Sequence, residues 1–152
     1  MLTIDIPGRG VLTLETLLLD VNGTIADGGV LVPGVAGAID ALADVFHVVA
    51  VTADTHGTAS ALALEMGIEL RVIVRGAEGI QKRSLVREFG AERTVVIGNG
   101  ANDALALKDA AVGIAVIGGE GVARTALEAA DVVVTDIHHA LALLADPGRL
   151  LA

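Results

Sequence analysis

Apolar residues in this chain fall in short unbroken runs. Leu17-Leu18-Leu19, Val48-Val49-Ala50-Val51, Val95-Val96-Ile97 and Val132-Val133-Val134 are each bounded by polar residues or glycine. Runs this short, and rich in β-branched residues, suit strands covered on both faces. The pattern predicts strands at 16–19, 47–51, 69–74, 94–97, 112–116 and 132–134. Between them, helical spacing predicts helices near 34–44, 58–66, 80–89, 103–109, 121–129 and 137–144. Strands that alternate with helices pair in parallel, because each crossover carries its helix back over the sheet. The expected fold is therefore α/β, a single Rossmann-like doubly wound parallel sheet with helices on both faces. Residues 2–6 and 10–14, separated by Pro7-Gly8-Arg9, predict an N-terminal β-hairpin ahead of it. All of 1–152 reads as one domain, with the hairpin in 1–15 and the core in 16–145.

Composition narrows the class. The chain has 152 residues, of which 53% are apolar, with two phenylalanines and neither tryptophan nor tyrosine. That length can bury a substantial core, which aliphatic side chains must fill. Charged residues or histidine interrupt every apolar stretch before the ~18 residues a membrane span needs. A soluble, self-associating protein, a homo-oligomer, is the expectation. Met1-Leu2-Thr3-Ile4-Asp5 has neither the basic nor the long apolar part of a secretory signal, and cysteine is absent; a cytoplasmic location is expected. The net charge of -9 opposes nucleic acid and anionic lipid as partners, since both reward clustered Lys and Arg. An anionic substrate would need a local cation.

In a doubly wound sheet, ligands bind beyond the carboxyl ends of the strands. Four segments meet that condition. Asp20-Val21-Asn22-Gly23-Thr24 sets a carboxylate where the first buried run opens into a turn, although Asn-Gly is also a hairpin signal. Thr52-Ala53-Asp54 follows the second run; its hydroxyl and backbone N–H groups suit a phosphate oxygen, and Thr or Asp there also suits a helix cap. Lys82, near the start of the helix at 80–89, suits an anion, while a lone helical lysine is ordinarily a solvated charge. Gly98-Asn99-Gly100-Ala101-Asn102-Asp103 permits a tight strand-to-helix turn and offers Asp103 as a hard oxygen for a divalent cation. Asp stands at 103 where a dinucleotide fingerprint requires its third glycine, and no Gly-x-x-x-x-Gly-Lys loop exists. His56 reads as a solvent-facing residue in a first helical turn. His138 and His139 are adjacent and diverge by about 100° on a helix, so they do not form a metal pair. Gly118-Gly119-Glu120-Gly121 reads as a connecting turn.

Taken in order, the four segments resemble the motifs of the haloacid dehalogenase-like phosphohydrolase superfamily, over about 17–142. The nearest likeness is to the phosphorylation domain of P-type ATPases and to small soluble proteins similar to it. Asp20-Val21-Asn22-Gly23-Thr24 resembles the aspartyl-phosphate motif, Thr52-Ala53-Asp54 the ATPase Thr-Gly-Asp segment, and Gln81-Lys82 the start of the lysine-bearing helix. Gly98-Asn99-Gly100-Ala101-Asn102-Asp103-Ala104 resembles the Gly-Asp-Gly-x-Asn-Asp-Ala hinge. The resemblance implies a phosphohydrolase that forms an aspartyl phosphate on Asp20 with magnesium, Mg2+, as cofactor. It further implies that Thr52, Ala53 and Lys82 hold the phosphoryl oxygens, and that Asp20, the backbone carbonyl of Asn22, Asn99 and Asp103 hold the metal, Asp103 directly or through water.

Two positions depart from that pattern. Asn22 stands where phosphatases of the superfamily carry the Asp that protonates the leaving group and activates water, and Asn99 where the hinge supplies a metal-binding Asp. General acid–base help is worth on the order of 10²–10⁴ in rate, roughly 3–5 kcal/mol of barrier. The reading is a slow or specialised phosphatase, with a phosphate-binding or regulatory domain of the same fold as its alternative. About thirty residues separate Asp20 from Thr52, too few for the nucleotide-binding domain of a transport ATPase. Asp27-Gly28-Gly29 through Pro33 reads instead as a short flap, which makes the protein capless and open to a phosphorylated small molecule or a phosphoprotein.

Overall fold

Consecutive residues of a strand point to opposite faces, and the leucine run at 17–19 shows the consequence. Leu17 and Leu19 are buried in one apolar core and Leu18 in a second on the other face. In the computed structural model, which describes residues 1–53 and 57–151, these three leucines lie in the middle of a parallel sheet.

The chain opens with the antiparallel pair β1 (Leu2–Ile6) and β2 (Gly10–Leu14). β3 (Thr16–Asp20) then enters the main sheet. A two-stranded flap, β4 (Ala26–Asp27) and β5 (Val30–Leu31), precedes α1 (Val35–Ala43). There follow β6 (His47–Thr52), α2 (Ala59–Met66), β7 (Glu69–Val72), α3 (Glu78–Phe89) and β8 (Thr94–Gly98). The last elements are α4 (Ala104–Asp109), β9 (Val112–Val116), α5 (Arg124–Ala129), β10 (Val132–Val134) and α6 (Ile137–Ala145). The sheet order is β10-β9-β8-β3-β6-β7, with every neighbouring pair parallel.

This is the doubly wound, Rossmann-like arrangement that the apolar runs predict, with the hairpin ahead of it. Val35, Ile39 and Leu42 of α1 and Ile137, Leu141 and Leu144 of α6 cover one face. Leu85 and Val86 of α3, Leu107 of α4 and Ala126 of α5 cover the other. From β3 the chain runs outward through β6 and β7, then returns to the opposite side of β3 to lay down β8, β9 and β10. The strand order therefore reverses between β3 and β8, the topological switch point at which a crevice opens above the carboxyl ends.

Several boundaries differ from the sequence expectation, each for a backbone reason. β3, β6 and β8 extend one residue past their apolar runs, because Asp20, Thr52 and Gly98 still pair with Val51, Val72 and Ala115. β7 stops at Val72 rather than at 74. The Gln81 side chain takes the Val74 backbone at both groups, accepting from its N–H at 2.9 Å and donating to its carbonyl at 2.7 Å. α3 begins two residues early, at Glu78, and α5 begins at Arg124 after a turn closed by a Gly118–Gly121 bridge.

Candidate functional site

Asp20 ends β3, Thr52 ends β6 and Gly98 ends β8, so the register of three strands sets one rim. Above it Asp20, Asn22, Thr52, Ala53, Lys82, Asn99 and Asn102 line a single cleft of about 240 Å³ together with Glu78 and Gly100. Thr24 and Asp103 sit behind this wall, 3% and 1% exposed. Asp54 and His56 lie outside the described residues. His138 and His139 lie away from the cleft, in the first turn of α6, where the His138 N–H donates to the Asp136 carboxylate. Gly118 belongs to a second hollow of about 400 Å³ beside the flap, lined also by Thr24, Asp27, Thr135 and Asp136.

Lys82 organises the cleft. It lies on the face of α3 that also buries Leu85 and Val86, which carries its stem into the core. An ammonium group has three protons, and each finds an acceptor. Nζ donates to Asp103 Oδ1 at 2.6 Å, Asp20 Oδ1 at 2.7 Å and Asn102 Oδ1 at 3.4 Å. Burial works against its charge, but the two carboxylates outweigh burial and hold the Lys82 pKa above its ordinary value.

Asp103 is the anchor. Its Oδ2 accepts from the Asn99 N–H at 3.1 Å and the Gly100 N–H at 2.9 Å, while Oδ1 takes Lys82. Both oxygens are thus engaged with nitrogen donors, and the carboxylate acts on the cleft by fixing Lys82 and the turn after β8. Gly98 makes room for it, since a Cβ there would fall 2.5 Å from the Asp103 carboxyl carbon.

Asp20 has a different environment. Besides Lys82 it accepts from the Thr24 hydroxyl through Oδ2 at 3.1 Å. Burial, and then the nearby Asp103 charge, push its pKa from 3.8 up to about 7, against the opposing pull of Lys82 and Thr24. Its side chain is 11% exposed, so it is nearly desolvated while still reaching the cleft.

The Thr24 hydroxyl also lies 3.3 Å from Asn99 Oδ1, and the Asn99 amide is oriented by donating from Nδ2 to the Gly121 carbonyl at 3.2 Å. The Asp20 and Asn99 oxygens thus share one hydroxyl, whose single proton cannot serve both acceptors fully. Gly23, at φ +80°, lets the loop lie against the Asn99 amide, where any Cβ would collide with Nδ2. Among the described residues no group of three or more His, Cys, Asp or Glu is placed to hold a metal. A single carboxylate with neutral oxygens beside it does fit magnesium, which keeps several waters and needs one or two carboxylates plus phosphate.

Glu78 is the cleft residue that sequence reasoning missed. It stands four residues before Lys82, a spacing that puts both on one face of a helix and is the signal that finds it. Its Oε2 accepts from the Gly76 N–H at 3.0 Å.

Comparison with known proteins gives the family. An uncharacterised protein of Methanocaldococcus jannaschii is 43% identical over 81 residues, 51% of this chain and 87% of that one. A soluble P-type ATPase-like phosphatase of the same organism is 32% identical over 129 residues, 83% of this chain; the chain spans 47% of that protein's length. Among solved structures, a probable yrbi family phosphatase from Pseudomonas syringae superposes with a TM-score of 0.72 at 17% identity, covering 87% of this chain and 85% of that one, which shows the shared fold. Residues 9–111 match the family model of the haloacid dehalogenase-like hydrolases, and the chain belongs to that family.

Proposed function

We propose that this protein is a phosphatase that takes a phosphoryl group onto Asp20 and passes it to water. The observation that carries this reading is the buried Asp20–Lys82–Asp103 array at the switch point of the sheet. It sets a desolvated carboxylate at a cleft and braces a lysine beside it. In the first step an Asp20 oxygen forms a bond to phosphorus as the bond to the leaving group breaks. In the second, water attacks the same phosphorus and Asp20 is released. Dividing the displacement in this way replaces one difficult step by two easier ones.

Lys82 supplies positive charge as negative charge spreads over the phosphoryl oxygens, and it is already oriented before substrate arrives. Thr52 and Ala53 line the same cleft and are assigned to the remaining oxygens. Asn22 positions without exchanging a proton. Asp20, the Asn22 backbone carbonyl and Asn99 are the residues assigned to magnesium, with Asp103 supporting from behind through Lys82 and the turn. When bound, the metal neutralises charge on the phosphoryl group.

The paired amides Asn22 and Asn99 favour a second reading, a phosphate-binding or regulatory domain with little turnover. Hydrolysis of an activated aryl phosphate with magnesium separates the two. The phosphatase reading expects Asp20→Asn to lower kcat by at least ~10³-fold, as loss of a nucleophile does, and expects rapid quenching to trap phosphate on wild-type Asp20. Phosphate binding without any Asp20-dependent turnover would establish the second reading instead.

A further inference from the structure

Two residues of the cleft constrain the leaving group. Asn22 stands two residues after Asp20 on the cleft wall, and its amide has no proton to give usefully. A leaving group must therefore depart without one from that position. Glu78 adds the second constraint. It lines the same cleft as Asp20, Thr52 and Asn99, from the first turn of α3. Hydrogen bonds from its own N–H and the Gly76 N–H hold its pKa below the ordinary value, so it is an anion at neutral pH. Of the described residues lining the cleft, Lys82 alone is cationic, and its three protons are directed at Asp20, Asp103 and Asn102. Lys82 and Arg75 act on the Glu78 carboxylate more weakly than its backbone hydrogen bonds do, so a leaving group beside it still meets an anion.

Leaving groups that need no proton from the enzyme divide by charge. Acyl phosphates release carboxylates and aryl phosphates release phenolates, so negative charge grows near Glu78 as the bond breaks. A phosphate on the nitrogen of a base behaves oppositely. A phosphoimidazole takes up a proton on its second ring nitrogen near neutrality, is then cationic on the leaving side, and departs as a neutral ring. Glu78 favours that protonated, reactive form and disfavours the anionic leaving groups.

Resting on Asp20 as the phosphoryl acceptor, we propose that the substrates of this site are phosphoramidates, phosphate carried on the nitrogen of a basic group. A bond forms between an Asp20 oxygen and phosphorus, the P–N bond breaks, and its electron pair stays on nitrogen; the proton already on the second ring nitrogen keeps the departing imidazole neutral. Water then forms a P–O bond as the bond to Asp20 breaks, and one of its protons passes to solvent. Inorganic phosphate and the free base are the products.

The test uses the full chain with magnesium and measures kcat/KM on free N-phosphohistidine, a peptide carrying N-phosphohistidine, acetyl phosphate and an aryl phosphate. Wild type, Glu78→Gln and Asp20→Asn are compared. The phosphoramidates are expected to be preferred. Glu78→Gln is expected to lower their kcat/KM about three- to fivefold, the scale of an exposed charge pair, while raising that of acetyl phosphate. Opposite movement of the two substrates is a result that mere loss of structure does not give. Turnover of the peptide alone assigns the substrate to protein, and turnover of the free amino acid assigns it to small molecules. Asp20-dependent hydrolysis that prefers acetyl phosphate, or a Glu78→Gln effect equal on all substrates, overturns the proposal and leaves the phosphatase reading intact. Absence of Asp20-dependent turnover on every substrate overturns both.

Discussion

A lysine 5% exposed between two carboxylates fixes what each of its partners can do. Asp103 is tied down by backbone N–H groups as well, whereas Asp20 keeps a face toward the cleft and a pKa near 7. As the proposed nucleophile, Asp20 must be ionised to attack, so activity is expected to fall toward acid pH in a limb set by this group; its pKa is about 7 without metal, and bound magnesium would lower it. Burial is the larger cause of that position, and the Asp103 charge is the next. Asp103→Asn is therefore expected to move the limb to lower pH, which a pH profile of kcat/KM reads directly. Asn22→Asp tests the other departure. Restoring a carboxylic acid at 22 is expected to raise kcat on poor leaving groups by on the order of 10², with little gain on activated aryl phosphates that leave unaided. At this scale much of the site was legible, because Asp20 and Thr52 directly follow an apolar run and Asn99 follows one across Gly98. Glu78 was passed over, since an acid in a first helical turn has an ordinary dipole role, and its spacing from Lys82 gains meaning only once Lys82 is placed in the cleft. The anchoring of Lys82 by Asp103, which lies 21 residues away, was not legible.

Between elements, the site depends on how closely the loops after β3 and β8 approach one another. The apolar runs announced the strands and their order of appearance, but not that β8 returns beside β3, which is a choice of pairing invisible to periodicity. Backbone pairing also outran the hydrophobic pattern, so the polar residues of interest end strands rather than begin loops. Glycine pays for this closeness at two points. At Gly98 a Cβ meets the Asp103 carboxyl group, and at Gly23 it meets the Asn99 amide on backbone at φ +80°. Gly23→Ala combines the collision with a left-handed conformation that costs an L-residue ~1–3 kcal/mol. It is expected to lower the melting temperature and to displace Asn99, so that magnesium dependence weakens more than the fold does. A titration of activity against magnesium, run beside thermal melting, separates the two effects.

For the whole molecule, the buried Asp20 carboxylate is a burden on stability that its proposed nucleophilic role requires. Its folded pKa of about 7 lies above its ordinary 3.8, so between those values the folded state binds the proton that the unfolded chain has released. Stability from this group is therefore greatest at low pH and is lost as pH rises from about 4 to about 7. The displacement corresponds to roughly 4 kcal/mol as an upper figure. Other shifted groups do not share this window. Lys82 is raised from 10.5, so its contribution is lost only at higher pH. Glu69, lowered chiefly by its hydrogen bond from Arg71, and Glu78, lowered by backbone N–H groups, favour the fold above 4.5 and lose that as pH falls. Asp20→Asn removes the Asp20 slope and one of the two carboxylates that raise Lys82, while Lys82 keeps Asp103 and Asn102. The variant is thus expected to match wild type near pH 4 and to exceed it by up to a few kcal/mol above pH 7, measured by urea unfolding at both values. Magnesium bound at Asp20, as proposed, would work against the same burden, so adding it at pH 8 is expected to stabilise wild type and to leave Asp20→Asn nearly unchanged. Equal stability of the two proteins across the whole range would show that Asp20 is ionised in the folded state at no cost, and would remove the physical basis for its acid limb.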